Sequence, residues 1–141
     1  MARSKTKSDL LAKVPLFGAC SRKELDRIGA LADEVSVESG RLLTQAGRVG
    51  REFFVIADGT ATVEIRGEVV AKLGSGDFFG EMALLDHAPR SATVRADTDM
   101  TLYVVDSRSF ASLLEDAPTV ARKILRGVAQ RLRKAERAPT H

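Results

Sequence analysis

Between Gly76 and Val94 the chain carries a glycine, a carboxylate, an arginine and a serine at spacings suited to gripping a small anion. The run reads Gly76-Asp77-Phe78-Phe79-Gly80-Glu81-Met82-Ala83-Leu84-Leu85, then Asp86-His87-Ala88-Pro89-Arg90-Ser91-Ala92-Thr93-Val94. A glycine-ended turn leads into a short helical segment, Glu81 to Leu85, and after a loop a strand opens on Arg90-Ser91. The first amides of a helix lack intrahelical acceptors and sit at its positive dipole end, so they favour an anion. Gly80 lets the backbone approach a ligand with no side chain in the way. Arg90 offers a planar guanidinium that can grip two phosphate oxygens, and the Ser91 hydroxyl adds a donor. Glu81 only accepts hydrogen bonds when ionised, so it suits a sugar hydroxyl or an arginine and not a phosphate. The plain alternative is a structural Glu81–Arg90 salt bridge tying the short helix to the next strand.

No second stretch offers reacting groups. The chain has no nucleophile beside a base and no carboxylate pair marking a substrate cleft, so it does not read as an enzyme. His87 stands without a partner histidine and reads as a solvent-facing loop residue; Cys20 reads as a small packing residue. Phe53, Phe54, Phe78 and Phe79 read as core or pocket walls and not as stacking platforms for nucleic acid.

The elements that must position these groups fall in three zones. To about Ala32 the pattern is helical: Ser21 precedes Glu24 by three residues, a capping-box spacing, and Leu25, Ile28, Leu31 and Ala32 recur at helical intervals. Upstream, Leu10, Leu11, Val14, Leu16 and Phe17 suggest a short helix stopped near Pro15. From Asp33 to Asp106 the period shifts to alternation, with Val35, Val37, Phe53, Val55, Ala61, Val63, Ile65, Val69, Ala71 and Leu73 as half-buried strand positions. Eight of the 11 glycines fall in this zone, at intervals suited to turns between short antiparallel strands. The third zone is helical, with Ser107 to Glu115 forming a short helix. A long helix follows from Pro118, with Val120, Ile124, Val128, Leu132 and Ala135 as its apolar stripe and a frayed end at Ala138 to His141. The fold class expected is α+β, mainly β: an antiparallel jelly roll flanked by N-terminal helices and a C-terminal helix pair. The organisation expected is a basic segment 1–13, a β-roll 14–117 with short helices, and a helical tail 118–141.

The 141 residues suffice for about one domain, and 44% hydrophobic with 29% charged residues describes an ordinary globular chain. No apolar run approaches the roughly 18 residues of a membrane span, and no hydrophobic stretch follows the basic N-terminus as in a secretory signal. One cysteine excludes an internal disulfide, a cysteine-held zinc site and an iron–sulfur cluster, and points to the cytoplasm. Two histidines argue against a jelly-roll metalloenzyme. The net charge of +3 is uneven: residues 118–141 hold seven bases and one acid, while 14–117 hold 11 bases and 17 acids. A basic tail on an acidic body suits a solvated helix face, or attraction to nucleic acid, an anionic membrane or an acidic partner.

The run Phe79 to Leu85 followed by Pro89 to Val94 resembles the phosphate-binding cassette of the cyclic-nucleotide-binding domain family, nearly position for position. Gly40 to Gly47 and Phe53 to Gly59 are similar to that family's earlier strands and turns, so the resemblance covers roughly residues 14–137. It implies a double-stranded β-helix roll of the catabolite-activator-like sensor type, and it assigns roles. Glu81 would accept from the ribose 2′-hydroxyl and Arg90 would neutralise the cyclic phosphate. Ser91 and the amides of Met82, Ala83 and Ala92 would complete the anion pocket beside Gly80. Val70, Ala71 and Leu73 would flank base and sugar. The ligand implied is cAMP in preference to cGMP, because Ser91 with Ala92 looks more like the cAMP-type cassette; no cofactor or metal is implied.

Two departures from the family pattern matter. The chain stops at His141, before the helix-turn-helix module of many bacterial relatives, so sequence-specific DNA binding is not expected. The catabolite-activator type holds adenine with hydroxyls on the long helix, whereas Lys134-Ala135-Glu136 offers none. Either Arg126 or Arg133 caps the base by stacking, or the helix closes over it with apolar contacts alone. Signalling is expected from the C-terminal helices, hinged around Asp116-Ala117-Pro118, towards an effector protein or a fused effector domain. The Val120–Ile124–Val128–Leu132 stripe packs either on its own domain alone or also on a second copy in a ligand-sensitive homodimer. The alternative is a degenerate cyclic-nucleotide fold serving as a protein or anionic-surface adaptor through its basic C-terminal helix.

Overall fold

The computed structural model describes residues 6–137, with side chains described to residue 134. Two capping boxes start the N-terminal helices. The Asp9 amide donates to Thr6 Oγ1 and the Thr6 amide to Asp9 Oδ2, both at 3.1 Å, opening α1 (Lys7–Leu11). The expected box at Ser21 and Glu24 opens α2 (Arg22–Gly29), with the Ser21 amide donating to Glu24 Oε1 at 2.7 Å. Pro15 does not stop a helix; α1 has already ended, and Pro15 opens a 3₁₀ turn, Pro15–Phe17, where its missing amide is not needed.

Eight strands follow: β1 (Asp33–Val37), β2 (Leu42–Thr44), β3 (Glu52–Asp58), β4 (Ala61–Ile65), β5 (Glu68–Leu73), β6 (Phe78–Phe79), β7 (Thr93–Ala96) and β8 (Met100–Asp106). They form two four-stranded antiparallel sheets, ordered β1-β8-β3-β6 and β2-β7-β4-β5, so the mainly-β roll expected from the glycine spacing is present. β3 departs from simple alternation, since Phe53 to Ile56 are all buried. Phe53 and Val55 face a core shared with the helices (Leu16, Phe17, Ile28, Phe110), while Phe54 and Ile56 face one between the sheets (Ala61, Val94, Leu102). β5 departs the other way: it is an outer strand, and its Val69 and Val70 are 59% and 53% exposed. There β-branched residues serve strand geometry rather than burial.

Asp106 caps α3 (Ser107–Asp116), and after Ala117 (φ −132°, ψ 76°) the chain enters α4 (Pro118–Arg137). Of the segment Asp116-Ala117-Pro118, only Ala117 is non-helical, and it is buried. Val120 and Ile124 of α4 join the helical core, and at Gly127 the helix lies so close to the 3₁₀ turn that a Cβ would stand 2.6 Å from the Leu16 carbonyl oxygen. Lys123 donates to Glu24 Oε1 at 2.5 Å, tying α4 to α2; this bond and the Ser21 amide hold the Glu24 carboxyl below the usual carboxylate range. The predicted stripe does not stay on one face, because Leu132 is 60% exposed while Val120 and Ile124 are buried. Ala135 and residues 138–141, named in the sequence reading, lie outside the described side chains. Among the described residues no helix is long and apolar enough to cross a membrane.

Candidate functional site

The segment between β6 and β7 folds back over the second sheet and encloses a cleft of about 290 Å³. Gly80, in the left-handed region at φ 80°, starts a 3₁₀ turn, Glu81–Leu84, one residue shorter than the expected helical run. After the loop the backbone is clamped: the Arg90 amide donates to the Arg48 carbonyl and the Gly47 amide to the Arg90 carbonyl, both at 2.8 Å. The Thr44 hydroxyl donates to the Ala92 carbonyl at 3.1 Å. The cleft thus collects Gly80, Glu81, Met82, Ala83, Arg90, Ser91 and Ala92, with Phe79, Val63 and Val94 as apolar wall. Phe79 stacks on Phe54, ring centroids 4.8 Å apart, so aromatic packing stiffens the wall.

Arg90 is the charged centre. Its guanidinium donates from Nη2 to the Glu52 carbonyl at 2.7 Å and lies over the Phe54 ring at 5.9 Å. Burial pushes its pKa down from the ordinary arginine value, the Glu52 carboxylate offsetting part of this, yet an arginine remains charged at any physiological pH. Among the described residues no carboxylate lies within ion-pair distance of it. It is therefore a part-desolvated cation, and among the described residues only the Glu52 carbonyl accepts from its five N–H donors. The guanidinium fits because two side chains are missing: a Cβ on Gly50 would stand 1.9 Å from Arg90 Nε, and one on Gly80 would stand 2.4 Å from Nη1. Gly50 was readable in the sequence only as a turn glycine; its φ is unexceptional and its reason is space.

Glu81 does not bridge to Arg90. Arg131 of α4 donates from Nη1 to Glu81 Oε1 at 2.9 Å, and the same nitrogen lies 3.7 Å from Met82 Sδ. Of the two partners the sequence allowed for this carboxylate, the protein itself supplies the arginine. Arg126 and Arg133, the expected base caps, are exposed and do not line the cleft. The helical period explains the exchange: Arg131 comes four residues after Gly127 and seven after Ile124, on the face turned to the domain, and that spacing could have identified it. Lys134, from the segment expected near the base, joins Gln130, Arg131 and Phe78 around a second cavity of about 290 Å³ that touches Glu81.

The expected amides divide. The Ala83 amide already donates to the Gly80 carbonyl at 3.1 Å, so it is engaged by the turn. The Met82 amide precedes the first donor of that turn, the Ala83 amide, and has no partner within it. The strand residues expected beside base and sugar stand back from the cleft. Ala71 pairs in register with Val63 and so shares the face of a cleft residue; Leu73 packs on the inter-sheet core; Val70 is the extra residue of the bulge opposite Val63 and Glu64. His87 is exposed in the loop, and burial pushes the Cys20 thiol up, away from a reactive thiolate.

The chain is 35% identical over 109 residues to a cAMP-dependent protein kinase regulatory subunit of Schizosaccharomyces pombe, covering 77% of this chain and 26% of that one. It is 36% identical over 122 residues to a cyclic nucleotide-gated potassium channel of Rhizobium etli, covering 86% and 34%. The chain thus spans about a quarter to a third of the length of these curated relatives. Among solved structures it is similar to the N-terminal domain of a transcriptional regulator from Streptomyces coelicolor A3(2), with a TM-score of 0.86 at 30% identity, covering 94% of this chain and 99% of that one. The catabolite activator protein of Thermus thermophilus superposes with a TM-score of 0.68 at 29% identity, covering 87% and 60%. Residues 34–117 match the family model of the cyclic nucleotide-binding domain, and with that match the chain belongs to the family of cyclic nucleotide-binding domains.

Proposed function

We propose that the protein is a regulatory sensor that binds a cyclic nucleotide, cAMP in preference to cGMP, in the cleft between Arg90 and Glu81. The observation that carries this is Arg90: a part-buried guanidinium with no carboxylate partner among the described residues, wedged between Gly50 and Gly80 and bordering an open cleft. A cyclic phosphate is a compact monoanion and satisfies that cation, with the Met82 and Ala92 amides and the Ser91 hydroxyl adding donors. Glu81 accepts the ribose hydroxyl, and Val63, Val94 and Phe79 give the sugar and base an apolar surface. The cAMP preference is supported by the Ser91-Ala92 pair and by the likeness to the cAMP-dependent protein kinase regulatory subunit of Schizosaccharomyces pombe.

In this reading the roll of residues 14–117 binds the ligand in the cytoplasm and α4 reports it, pivoting at Ala117. An effector, fused or separate, or a second copy of this chain reads the movement. No reacting group enters the scheme, and ligand is bound and released unchanged. Calorimetric titration with cAMP tests it. Arg90→Ala leaves the phosphate charge without its cation, a loss of about 2–5 kcal/mol, equivalent to roughly 30-fold to several-thousand-fold in affinity. Unchanged affinity in that variant refutes the site.

A further inference from the structure

Leu84 and Leu85, at the end of the turn that borders the nucleotide cleft, also line a separate cavity of about 500 Å³ at the start of α3. We propose that this cavity binds a phosphomonoester, its phosphoryl group held by Arg51, Arg108, His87 and the Ser107 hydroxyl. The cavity shares no lining residue with the cleft of Arg90 and Glu81, so the proposal stands apart from the cyclic-nucleotide reading.

The pairing of β3 with β8 builds this site. Glu52 stands opposite Asp106 at the end of the ladder, and one step further the Ser107 amide donates to the Arg51 carbonyl at 2.8 Å. That bond fixes Arg51 beside the first turn of α3, whose N-terminal amides carry the positive end of the helix dipole. Asp106 Oδ2 accepts from the Ser109 amide at 3.4 Å, whereas the Arg108 amide has no acceptor among the described residues. Ser107 supplies an independent pointer to a ligand. It is only 6% exposed, yet its hydroxyl has no hydrogen-bond partner among the described residues. Every described side-chain polar atom that is sealed from solvent does have one, so the Ser107 hydroxyl keeps an opening, and the residue lines the cavity. A largely desolvated hydroxyl without a partner is unfavourable, and an acceptor brought by a ligand relieves it.

The chemistry of the lining selects the ligand. Among the described residues Arg51, Arg108 and His87 make no ion pair and no side-chain hydrogen bond. Two guanidiniums outweigh the single carboxylate of the lining, Asp106, which is turned back on its own helix as the cap. The donors are two guanidinium forks, an imidazole N–H, a hydroxyl and a backbone amide. A carboxylate presents two oxygens in one plane and leaves some of these donors empty. A phosphoryl group presents three oxygens in a tetrahedron and serves donors on several sides. Leu84, Leu85 and Ala111 give the cavity an apolar wall, and its volume exceeds the roughly 290 Å³ of the nucleotide cleft. Room and wall together favour an ester with an apolar group over inorganic phosphate.

The test is a nuclear magnetic resonance titration of the full chain with phenyl phosphate, inorganic phosphate and benzoate, read at the backbone amides. Phenyl phosphate is expected to shift the amides of Leu84 to His87 and of Ser107 to Ala111 saturably. Its affinity should exceed that of inorganic phosphate about fivefold, through contact of the ring with the apolar wall. Ser107→Ala is expected to weaken binding about tenfold, the scale of one hydrogen bond to a charged group. Arg51→Gln with Arg108→Gln should abolish saturation, and thermal melts should keep both variants within a few degrees of the parent. Arg90→Ala should leave phenyl phosphate affinity unchanged, because that arginine serves the other cleft. No saturable shift at these amides up to about 10 mM probe overturns the proposal. So does equal affinity in Ser107→Ala and the parent, benzoate binding as tightly as phenyl phosphate, or loss of phosphate binding in Arg90→Ala.

Discussion

Arg90 reaches its position because Gly50 and Gly80 leave room for it, one on each side of the guanidinium. Gly50→Ala places a methyl 1.9 Å from Nε, where only displacement of the whole arginine relieves the overlap. The expected outcome is about a tenfold or greater loss of cAMP affinity, the scale of a lost charge-assisted contact, with an unfolding midpoint within a few degrees of the parent. Titration and thermal melts check this together, and unaltered affinity contradicts the geometry. At this scale the sequence is half legible. Glu81, Arg90 and Ser91 stand in one run whose chemistry can be read directly. The close approach of Gly50 joins residues 40 positions apart and leaves no local signature. Arg131 lies between these cases: its distance from Glu81 is hidden, yet its place on the buried face of α4 follows from the period of Val120, Ile124 and Gly127.

Helix α4 carries two apolar faces, and the stripe seen in the sequence crosses from one to the other. Val120, Ile124 and Gly127 turn to the domain. Leu125 and Leu132, seven residues apart and 67% and 60% exposed, form a second line at the repeat spacing of paired helices, while Val128 stays packed on the helical core. Where a second copy of the chain reads the movement, this second line would meet the same line of that copy. Sedimentation is expected to show a dimer, and Leu125→Glu with Leu132→Glu is expected to yield monomers, because like charges would face each other along the seam. A monomeric parent with and without cAMP contradicts the pairing. The strands teach a related lesson. Alternation located them, but burial on both faces of β3 and exposure of β5 depend on position within the sheet order, which is set by pairings between distant segments. Caps were legible for the opposite reason, since Ser21 and Glu24 bond within one turn.

Taken whole, the roll has more acids than bases between residues 14 and 117, yet it is proposed to hold an anion. Distance reconciles the two. At physiological ionic strength exposed charges are screened beyond roughly 8–10 Å, so the bulk of the acidic surface acts weakly on the cleft, whereas Arg90 stands at its edge, part-buried. The jelly-roll class was legible from glycine spacing and period, because those features are repeated along the chain; the strand order was not, because each pairing is specified only once the sheets assemble. The central claim is that a ring-closed phosphate, and not a nucleotide in general, fits the cleft. Thermal unfolding with cAMP, cGMP and AMP measures it most directly. A ligand at 100 times its Kd adds about 2.7 kcal/mol to the folded state, which for a chain of this size raises the midpoint on the order of 5–10 °C. The account predicts that shift with cAMP, a smaller one with cGMP and none with AMP, which shares base and sugar with cAMP but carries an open phosphate. Equal shifts with cAMP and AMP, or no shift with any of the three, would contradict it.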